Sequence, residues 1–377
     1  MRLSDIETPA LVLDRVRMDR NIERLRTHLS SLGVALRPHV KTHKSVDVAR
    51  RIGAPGTPIT VSTLKEAEYF FEHGWTDMLY AVGIVPTKLP HIERLVRQGA
   101  RITIVLDNAE SATSADAYCR DHALQLPVLI EIDTDGHRSG VKPEDPALID
   151  VAAALTGTED RGAWLAGVMT HAGASYGCRS IAAIEAMAEQ ERAGAVRAAQ
   201  RLREAGHAAP VVSVGSTPTA HFAKSLDGVT EVRAGVYVFF DLVMNGIEVC
   251  DTSDIALSVL CTVIGHQKEK GWLITDGGWM AMSRDRGTAS QPVDQGYGLV
   301  CDVEGALLPY LVMVDANQEH GIIRHRTDPA ATPMLPVGTL LRILPNHACA
   351  TAAQHGAYNV VADGSQVDAT WPRISGW

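Results

Sequence analysis

A lysine in a cluster of basic residues is the strongest indication of chemistry in this sequence. Lys41 lies in the segment Arg37–Ser45, directly after the short apolar run Val34–Leu36. The pattern predicts that Lys41 lies where a strand gives way to a helix. An amine at such a place can form a Schiff base with a carbonyl, which is how a lysine holds pyridoxal phosphate (PLP). A solvated basic loop is the alternative, because runs of charge are usually exposed to water.

The composition indicates an ordinary globular protein. Of the 377 residues, 46% are hydrophobic and 21% are charged, which excludes a disordered chain. The net charge of −9 disfavours nucleic acid or an anionic membrane surface as a partner, although one local pocket could still bind a phosphate. No apolar run approaches the roughly 20 residues of a membrane span, and the N-terminus lacks the apolar core of a signal peptide. The six cysteines include no CxxC pair, so we expect a cytoplasmic protein without a disulfide framework.

Strand-like and helix-like segments alternate from residue 35 to about residue 241, which predicts a parallel sheet. Eight such units are the number in a (β/α)8 TIM-type barrel, and a doubly wound sheet is the alternative. The strand-like runs are Ala35–Lys41, Pro58–Thr63, Asp77–Val82, Arg101–Asp107, Leu126–Asp133, Trp164–His171, Pro210–Gly215 and Glu231–Phe239.

After residue 245 the helical runs end and short apolar segments separated by turn residues follow, which indicates an all-β domain. The first segment, Thr8–Asp14, is also strand-like and could pair into that domain. The predicted domains are a barrel over residues 15–245 and a β domain over residues 246–377. The N-terminal strand in residues 1–14 is predicted to belong to the β domain.

Reactive residue types follow several of the barrel runs, where a (β/α)8 barrel has its active site. Gly215, Ser216 and Thr217 follow the seventh run and precede a proline that begins a helix, an arrangement that suits a phosphate. A plain turn is the alternative. We expect the other candidate cofactor-binding residues at the same rim: Lys41, Arg138, His171, Tyr176, Gly235 and Tyr237.

A different kind of site is indicated by His347-Ala-Cys349. On an extended segment, side chains two residues apart share one face. Nitrogen and sulfur ligands suit zinc, and two protein ligands would leave positions open for substrate and water. A buried cysteine beside a structural histidine is the alternative.

Together these motifs resemble those of the fold-type III PLP enzymes, and within them the group of D-serine dehydratase and D-threonine aldolase. The resemblance spans the chain and implies that Lys41 forms the Schiff base, that the glycine-rich turns hold the phosphate and that Arg138 lies near the pyridine nitrogen. A guanidinium there would weaken the cofactor as an electron sink. A surface ion pair is the other interpretation of Arg138. The motifs are Arg37–Ser45, Arg138-Ser-Gly-Val, Gly215-Ser-Thr-Pro-Thr, Arg233-Ala-Gly-Val-Tyr, Asp276-Gly-Gly and Pro345–Thr351.

The resemblance also implies a divalent metal at His347 and Cys349, zinc first, with magnesium or manganese as alternatives. The dehydratases are similar to this chain in having cysteine at the second position, whereas the aldolases have aspartate. The aldolases also carry a tyrosine before the histidine that matches His171, where this chain has Thr170. Both differences favour the branch of D-serine and D-threo-3-hydroxyaspartate dehydratases.

The expected reaction is conversion of D-serine, D-threonine or D-threo-3-hydroxyaspartate to a 2-keto acid and ammonia. Lys41 would act as general base, and the metal would assist departure of the β-hydroxyl. An aldolase, a racemase of the alanine racemase type and a non-catalytic PLP carrier are the alternatives. The resemblance further implies a homodimer. Arg284, His320 and His355 could each contact the substrate or be unrelated to it.

Overall fold

Residues 1–158, 161–362 and 364–377 are described in a computed structural model. These residues form two compact units. The barrel unit comprises Arg24–Gly235 with Gly376–Trp377, and the β unit comprises Met1–Glu23 with Val236–Ser375. The chain begins with strand β1, Ala10–Asp14, and helix α1, Arg15–Ser31. The domain boundaries expected at residues 15 and 245 stay predictions.

Eight parallel strands form the sheet of the barrel unit, in the order β2-β9-β8-β7-β6-β5-β4-β3. Between the outer strands, the N–H of Val40 donates to the carbonyl of Thr60 at 3.0 Å, so the barrel is nearly closed. This confirms the (β/α)8 prediction over the doubly wound alternative. The strands are β2 Ala35–Pro38, β3 Ile59–Val61, β4 Asp77–Gly83, β5 Arg101–Leu106, β6 Gln125–Ile132, β7 Gly162–Thr170, β8 Val211–Val214 and β9 Glu231–Ala234.

Several barrel helices begin at residues whose side chains cap them. The side-chain oxygens of Thr63, Asn108 and Ser180 accept the N–H three residues further on, at 2.8–3.2 Å. No helix within the described residues combines the length and apolar character needed to cross a membrane. The helices are α2 Val46–Ile52, α3 Leu64–Glu72, α4 Leu89–Arg97, α5 Ala109–Asp121, α6 Ala147–Ala154, α7 Ile181–Glu204 and α8 Thr217–Phe222.

Two barrel strands end three or more residues earlier than the sequence indicates. β2 ends at Pro38 rather than Lys41, and β9 ends at Ala234 rather than Phe239. After β9, residues Val236–Val238 form a 3-10 turn in which all three side chains are buried. Because these buried residues are as apolar as those of a strand, the run looks longer in the sequence than the hydrogen-bonded strand is.

The β unit contains one nine-stranded, mainly antiparallel sheet, in the order β11-β14-β13-β12-β15-β10-β1-β16-β17. The expected pairing of the N-terminal strand is confirmed, because β1 lies antiparallel to β10 and parallel to β16. The expected β domain is confirmed, and it also contains the short helices α9 Leu242–Gly246, α10 Trp279–Met282 and α11 Ala348–Ala352. The strands are β10 Leu257–Gln267, β11 Trp272–Thr275, β12 Gly298–Cys301, β13 Leu307–Ala316, β14 Gly321–His325, β15 Leu340–Pro345, β16 Ala357–Val361 and β17 Val367–Pro372.

An ion network around Arg37 lies at the amino-terminal end of the barrel strands. Its guanidinium is 2.7 Å from a carboxylate oxygen of Glu231 and 2.8 Å from one of Asp77. Arg101 also reaches Asp77, at 3.4 Å, but its own side chain is 70% exposed whereas that of Arg37 is 15% exposed. The two carboxylates therefore depend on Arg37 for most of their compensation.

We expect Arg37→Leu to lower the free energy of unfolding by about 3–5 kcal/mol, because it leaves two partly buried carboxylates without their main partner. Arg101→Leu is the matched control, since it removes an exposed partner of the same Asp77 and should cost about 1 kcal/mol or less. Urea unfolding measures both. Equal losses for the two variants would contradict this account of the network.

Candidate active site

Lys41 lies three residues beyond β2, in a tight turn at the carboxyl rim of the barrel. The turn is closed by the N–H of Lys44, which donates to the carbonyl of Val40 at 2.8 Å. Lys44 has a left-handed backbone, with φ of 48°, and its ammonium is 3.1 Å from the fully buried carboxylate of Glu66 on α3. This ion pair ties the turn to α3, while the Lys41 side chain itself is exposed.

His171 follows β7 directly and is held in one tautomer. Its Nδ1 lies 2.9 Å from the carbonyl oxygen of Gly215, which can only accept, so Nδ1 carries the proton and Nε2 is left as an acceptor. Burial, together with the positive charges of Lys41, Arg138 and Arg233, lowers the pKa of His171 to about 3. The imidazole is therefore neutral at physiological pH and faces three cations.

The three cations differ in their surroundings. Arg233 is buried, where it donates to the hydroxyl of Ser213 at 2.7 Å and to a backbone carbonyl. Arg138 is half-exposed, with its guanidinium 3.7 Å from the carboxylate of Glu131. Arg138 thus makes an ion pair and also lies near enough to His171 to affect its charge. The ring of Tyr176 lies 6.1 Å from that of His171, between centroids.

The turn after β8 uses most of its polar groups internally. Gly215 has φ of +131°, and a Cβ there would lie 2.2 Å from the carbonyl oxygen of Arg233, so only glycine fits. The N–H of Gly215 donates to the Glu191 carboxylate at 3.0 Å, and the N–H of Ser216 donates to the Thr219 hydroxyl at 3.0 Å. The predicted phosphate donors Gly215 and Ser216 thus already have protein partners for these amides.

Thr217 provides the observation that fits a phosphate. Its hydroxyl is buried and has no hydrogen-bond partner among the residues that the structure describes. It belongs to the first turn of α8, where a helix N-terminus favours an anion. A buried hydroxyl without a partner is costly unless a ligand satisfies it, so the residues present suit the phosphate group of PLP.

The segment after β9 brings Gly235 to the Lys41 turn. A Cβ on Gly235 would lie 2.8 Å from the hydroxyl of Thr42, so this glycine permits the close approach of the two segments. Tyr237 belongs to the β unit, where it is fully buried, and its role in cofactor binding stays a prediction.

The candidate metal ligands lie in the β unit, and the segment that carries them is not extended as expected. His347 has extended backbone, but α11 begins at Ala348, which places Cys349 in the first turn of a helix. The imidazole of His347 still hydrogen-bonds to Cys349. Its Nδ1 lies 2.6 Å from a carboxylate oxygen of Asp285. The partner Asp285 could not be identified from the sequence, because nothing in its spacing relates it to residue 347.

A helix cap and nearby negative charges stabilise the segment that carries His347 and Cys349. The buried Asp241 accepts the N–H of Ala348 at 2.9 Å and so caps α11. Despite the cost of burial, the negative charges of Cys349, Asp285 and Asp241 raise the pKa of His347 to about 11. An imidazole surrounded by anionic groups is the arrangement of a cation site. Burial raises the pKa of the Asp241 carboxyl.

No group of three or more His, Cys, Asp or Glu side chains within the described parts of the chain is arranged to hold a metal ion. The pair of His347 and Cys349 suits a metal that has open positions, and its metal role stays a prediction. The remaining candidates make contacts of their own. Arg284 lies 5.1 Å over the ring of Trp279, and the His355 Nε2 lies 2.9 Å from the carbonyl of Ala281. His320 is exposed.

The barrel with its separate antiparallel sheet is the alanine racemase-like fold, and comparison with known proteins agrees. Residues 13–243 match the family described as alanine racemase, N-terminal domain, and residues 256–361 match the putative serine dehydratase domain. The chain therefore belongs to the fold-type III family of PLP-dependent lyases in which these two domains follow one another.

Three relatives show the range of this family. A D-threo-3-hydroxyaspartate dehydratase from Delftia sp. is 55% identical, covering 100% of this chain and 99% of the relative, and its solved structure gives a TM-score of 0.95 over 100% of both chains. A D-serine dehydratase from Dictyostelium discoideum is 29% identical over 97% of this chain and 96% of its own. The solved D-threonine aldolase from Filomicrobium marinum is 25% identical, with a TM-score of 0.83 over 99% of this chain and 96% of its own.

The lowered pKa of His171 predicts a loss of stability in mild acid. Between its ordinary pKa of 6.5 and the folded value of about 3, the unfolded chain binds a proton that the folded chain does not. Stability therefore falls as the pH falls through this window. We expect His171→Asn, which keeps a donor for Gly215, to reduce the loss between pH 7 and pH 5 by about 2 kcal/mol.

Urea unfolding of the cofactor-free protein at the two pH values measures this difference. His73→Asn is the matched control, because the exposed imidazole of His73 also bonds to a backbone carbonyl, that of Tyr69 at 2.7 Å. The control should keep the pH dependence of the wild type. If His171→Asn does so too, the histidine is not held neutral.

Proposed function

We propose that this chain is a PLP- and divalent-metal-dependent dehydratase that converts D-3-hydroxy amino acids to 2-keto acids and ammonia, with D-threo-3-hydroxyaspartate as its preferred substrate. The observation that carries the proposal is the contact of the His347 imidazole with both Cys349 and Asp285. A nitrogen and sulfur pair with an orienting carboxylate suits a metal that assists departure of a hydroxyl. The extensive similarity to the Delftia enzyme supports the choice of substrate.

The barrel residues bind and orient the cofactor and move one proton. The amine of Lys41 would hold the cofactor between turnovers as a Schiff base and, once freed as a neutral amine, its Nζ would take the α-proton of the substrate. The hydroxyl of Thr217 and the N-terminus of α8 bind the phosphate. The neutral His171 offers Nε2 as an acceptor at the rim. PLP, when bound, supplies an electron sink for the α-carbon of the amino acid.

Arg138 bears on the reaction through its permanent charge. A guanidinium beside the pyridine nitrogen disfavours protonation there, which makes the cofactor a weaker electron sink. The departure of the β-hydroxyl then needs help from another group. His347 and Cys349 would hold a metal, zinc by the softness of these ligands, and that metal would supply a Lewis acid for the leaving oxygen. The homodimer and the cytoplasmic location stay predictions.

A panel of D- and L-3-hydroxy amino acids tests the proposal. With D-threo-3-hydroxyaspartate we expect oxaloacetate and ammonia in equal amounts, and no activity after a chelator has removed the metal until zinc is added back. Glycine with an aldehyde would indicate an aldolase, and the opposite enantiomer a racemase. No turnover of any member would favour a PLP carrier.

Lys41→Ala is the control for cofactor attachment. Mass spectrometry after borohydride reduction should find PLP on the wild type at Lys41 and on no lysine of the variant. A reduced adduct of equal yield in the variant would contradict the role of Lys41, whatever the activity.

The contact between Asp285 and His347 predicts a further effect. We expect Asp285→Asn to weaken zinc binding by about 10- to 100-fold, because the carboxylate fixes the tautomer and orientation of the imidazole. Competition with a chromophoric chelator measures the dissociation constant. Asp294→Asn is the matched control: Asp294 is about equally exposed and pairs with Arg286 at 2.7 Å instead of with the imidazole. Equal zinc affinities for the two variants would show that Asp285 has no such role.

A further inference from the structure

One buried carboxylate at the barrel rim is not used by the proposed reaction. Glu191 lies in the middle of α7 and is 2% exposed. No arginine, lysine or histidine within the described residues forms an ion pair with it under 4 Å. An ionised carboxylate without such a partner is costly to bury, and for Glu191 this cost is lowered by hydrogen bonds and by the charge of the buried Arg233.

The donors to Glu191 come from the two loops that form the rim beside the cofactor. Its Oε1 accepts the N–H of Ala172 at 2.8 Å and the N–H of Gly215 at 3.0 Å. Its Oε2 lies 2.7 Å from the hydroxyl of Thr219 in α8. Ala172 follows β7 and Gly215 follows β8, so one side chain joins the ends of two neighbouring strands to the first turn of a helix.

These contacts determine what the turn can offer to a ligand. With its N–H bound to Glu191, Gly215 directs its carbonyl oxygen to the Nδ1–H of His171. The Thr219 hydroxyl, held by Glu191, accepts the N–H of Ser216 at 3.0 Å. The hydroxyl of Thr217 lies between these fixed residues and has no partner within the described chain. Glu191 thus shapes the turn without offering it a donor.

We propose that Glu191 is a positioning residue that sets the phosphate turn after β8. The inference rests on the proposed function, because it takes the turn to be the site of the PLP phosphate. Glu191 acts through Gly215 and Thr219. Its loss should therefore affect the phosphate group of the cofactor and leave the remainder of the cofactor unaffected.

The test compares PLP with pyridoxal, which lacks the phosphate, in binding to the cofactor-free protein. Absorbance titration gives both dissociation constants, independently of turnover. We expect Glu191→Ala to weaken PLP binding by about tenfold or more, since two amides and a hydroxyl lose an anionic acceptor, and to leave pyridoxal binding unchanged. Glu191→Gln should restore most of the affinity for PLP, because its amide oxygen accepts the two N–H groups and its NH2 donates to the Thr219 oxygen.

Asp116→Asn is the matched control for a purely structural carboxylate. Asp116 on α5 is also buried, and it accepts the N–H of Ala163 at 3.0 Å and the hydroxyl of Thr156, at the opposite end of β7; unlike Glu191, it also pairs with Arg120 at 2.9 Å. This variant should lower the thermal stability and keep the wild-type preference for PLP over pyridoxal. If Glu191→Ala does not fold, Thr219→Val removes the other end of the same contact and should reduce that preference.

The outcomes separate this inference from the proposed function. If the wild type binds pyridoxal as tightly as PLP, the phosphate site itself is wrong. If the wild type prefers PLP and Glu191→Ala, or Thr219→Val in its place, keeps that preference, only the positioning role is wrong. Equal weakening of both ligands, with no rescue by Glu191→Gln, would likewise assign Glu191 a general structural role.

Discussion

At the carboxyl rim of the barrel, the last backbone groups of eight parallel strands have no further partner in the sheet, and the loops that follow must supply one. After β7 and β8, this requirement is met largely by the carboxylate of Glu191 and the imidazole of His171. These contacts fix the shape of the rim after β7 and β8. The Thr217 hydroxyl stands out because it is buried and lacks a partner in the described chain.

Two charged arginines and one neutral histidine lie at the same rim. Arg138 and Arg233 carry permanent charges, whereas burial keeps His171 neutral beside them. A neutral imidazole with its Nδ1 proton committed to Gly215 can only accept at Nε2. The rim therefore presents cations, hydroxyls and one acceptor in defined places, although the chain as a whole has a net charge of −9.

The sequence was a good guide to features that follow from regular geometry. Alternating strands and helices predicted the barrel. The rule that a barrel has its active site after the strands placed Lys41 and His171 at the carboxyl rim. Contacts between distant residues were not predictable in this way. Asp285 meets His347 because a loop and a helix start converge, and the glutamate of α7 looked like one more polar residue of a long helix. The end of β9 was misjudged because buried turns have the composition of strands.

The position of β1 has a consequence for how the chain reaches this structure. Its Leu13 is paired with Leu257 on one side and with Val360 on the other, so this early strand lies between strands that emerge much later. Until β10 and β16 exist, both edges of β1 are open to pairing with other chains. Such long-range pairing is slow to form, and it makes the β unit dependent on synthesis as far as β16, whereas most barrel strands pair with the strand that precedes or follows them in the chain. A chain that stops before β16 would keep one side of its N-terminal strand exposed.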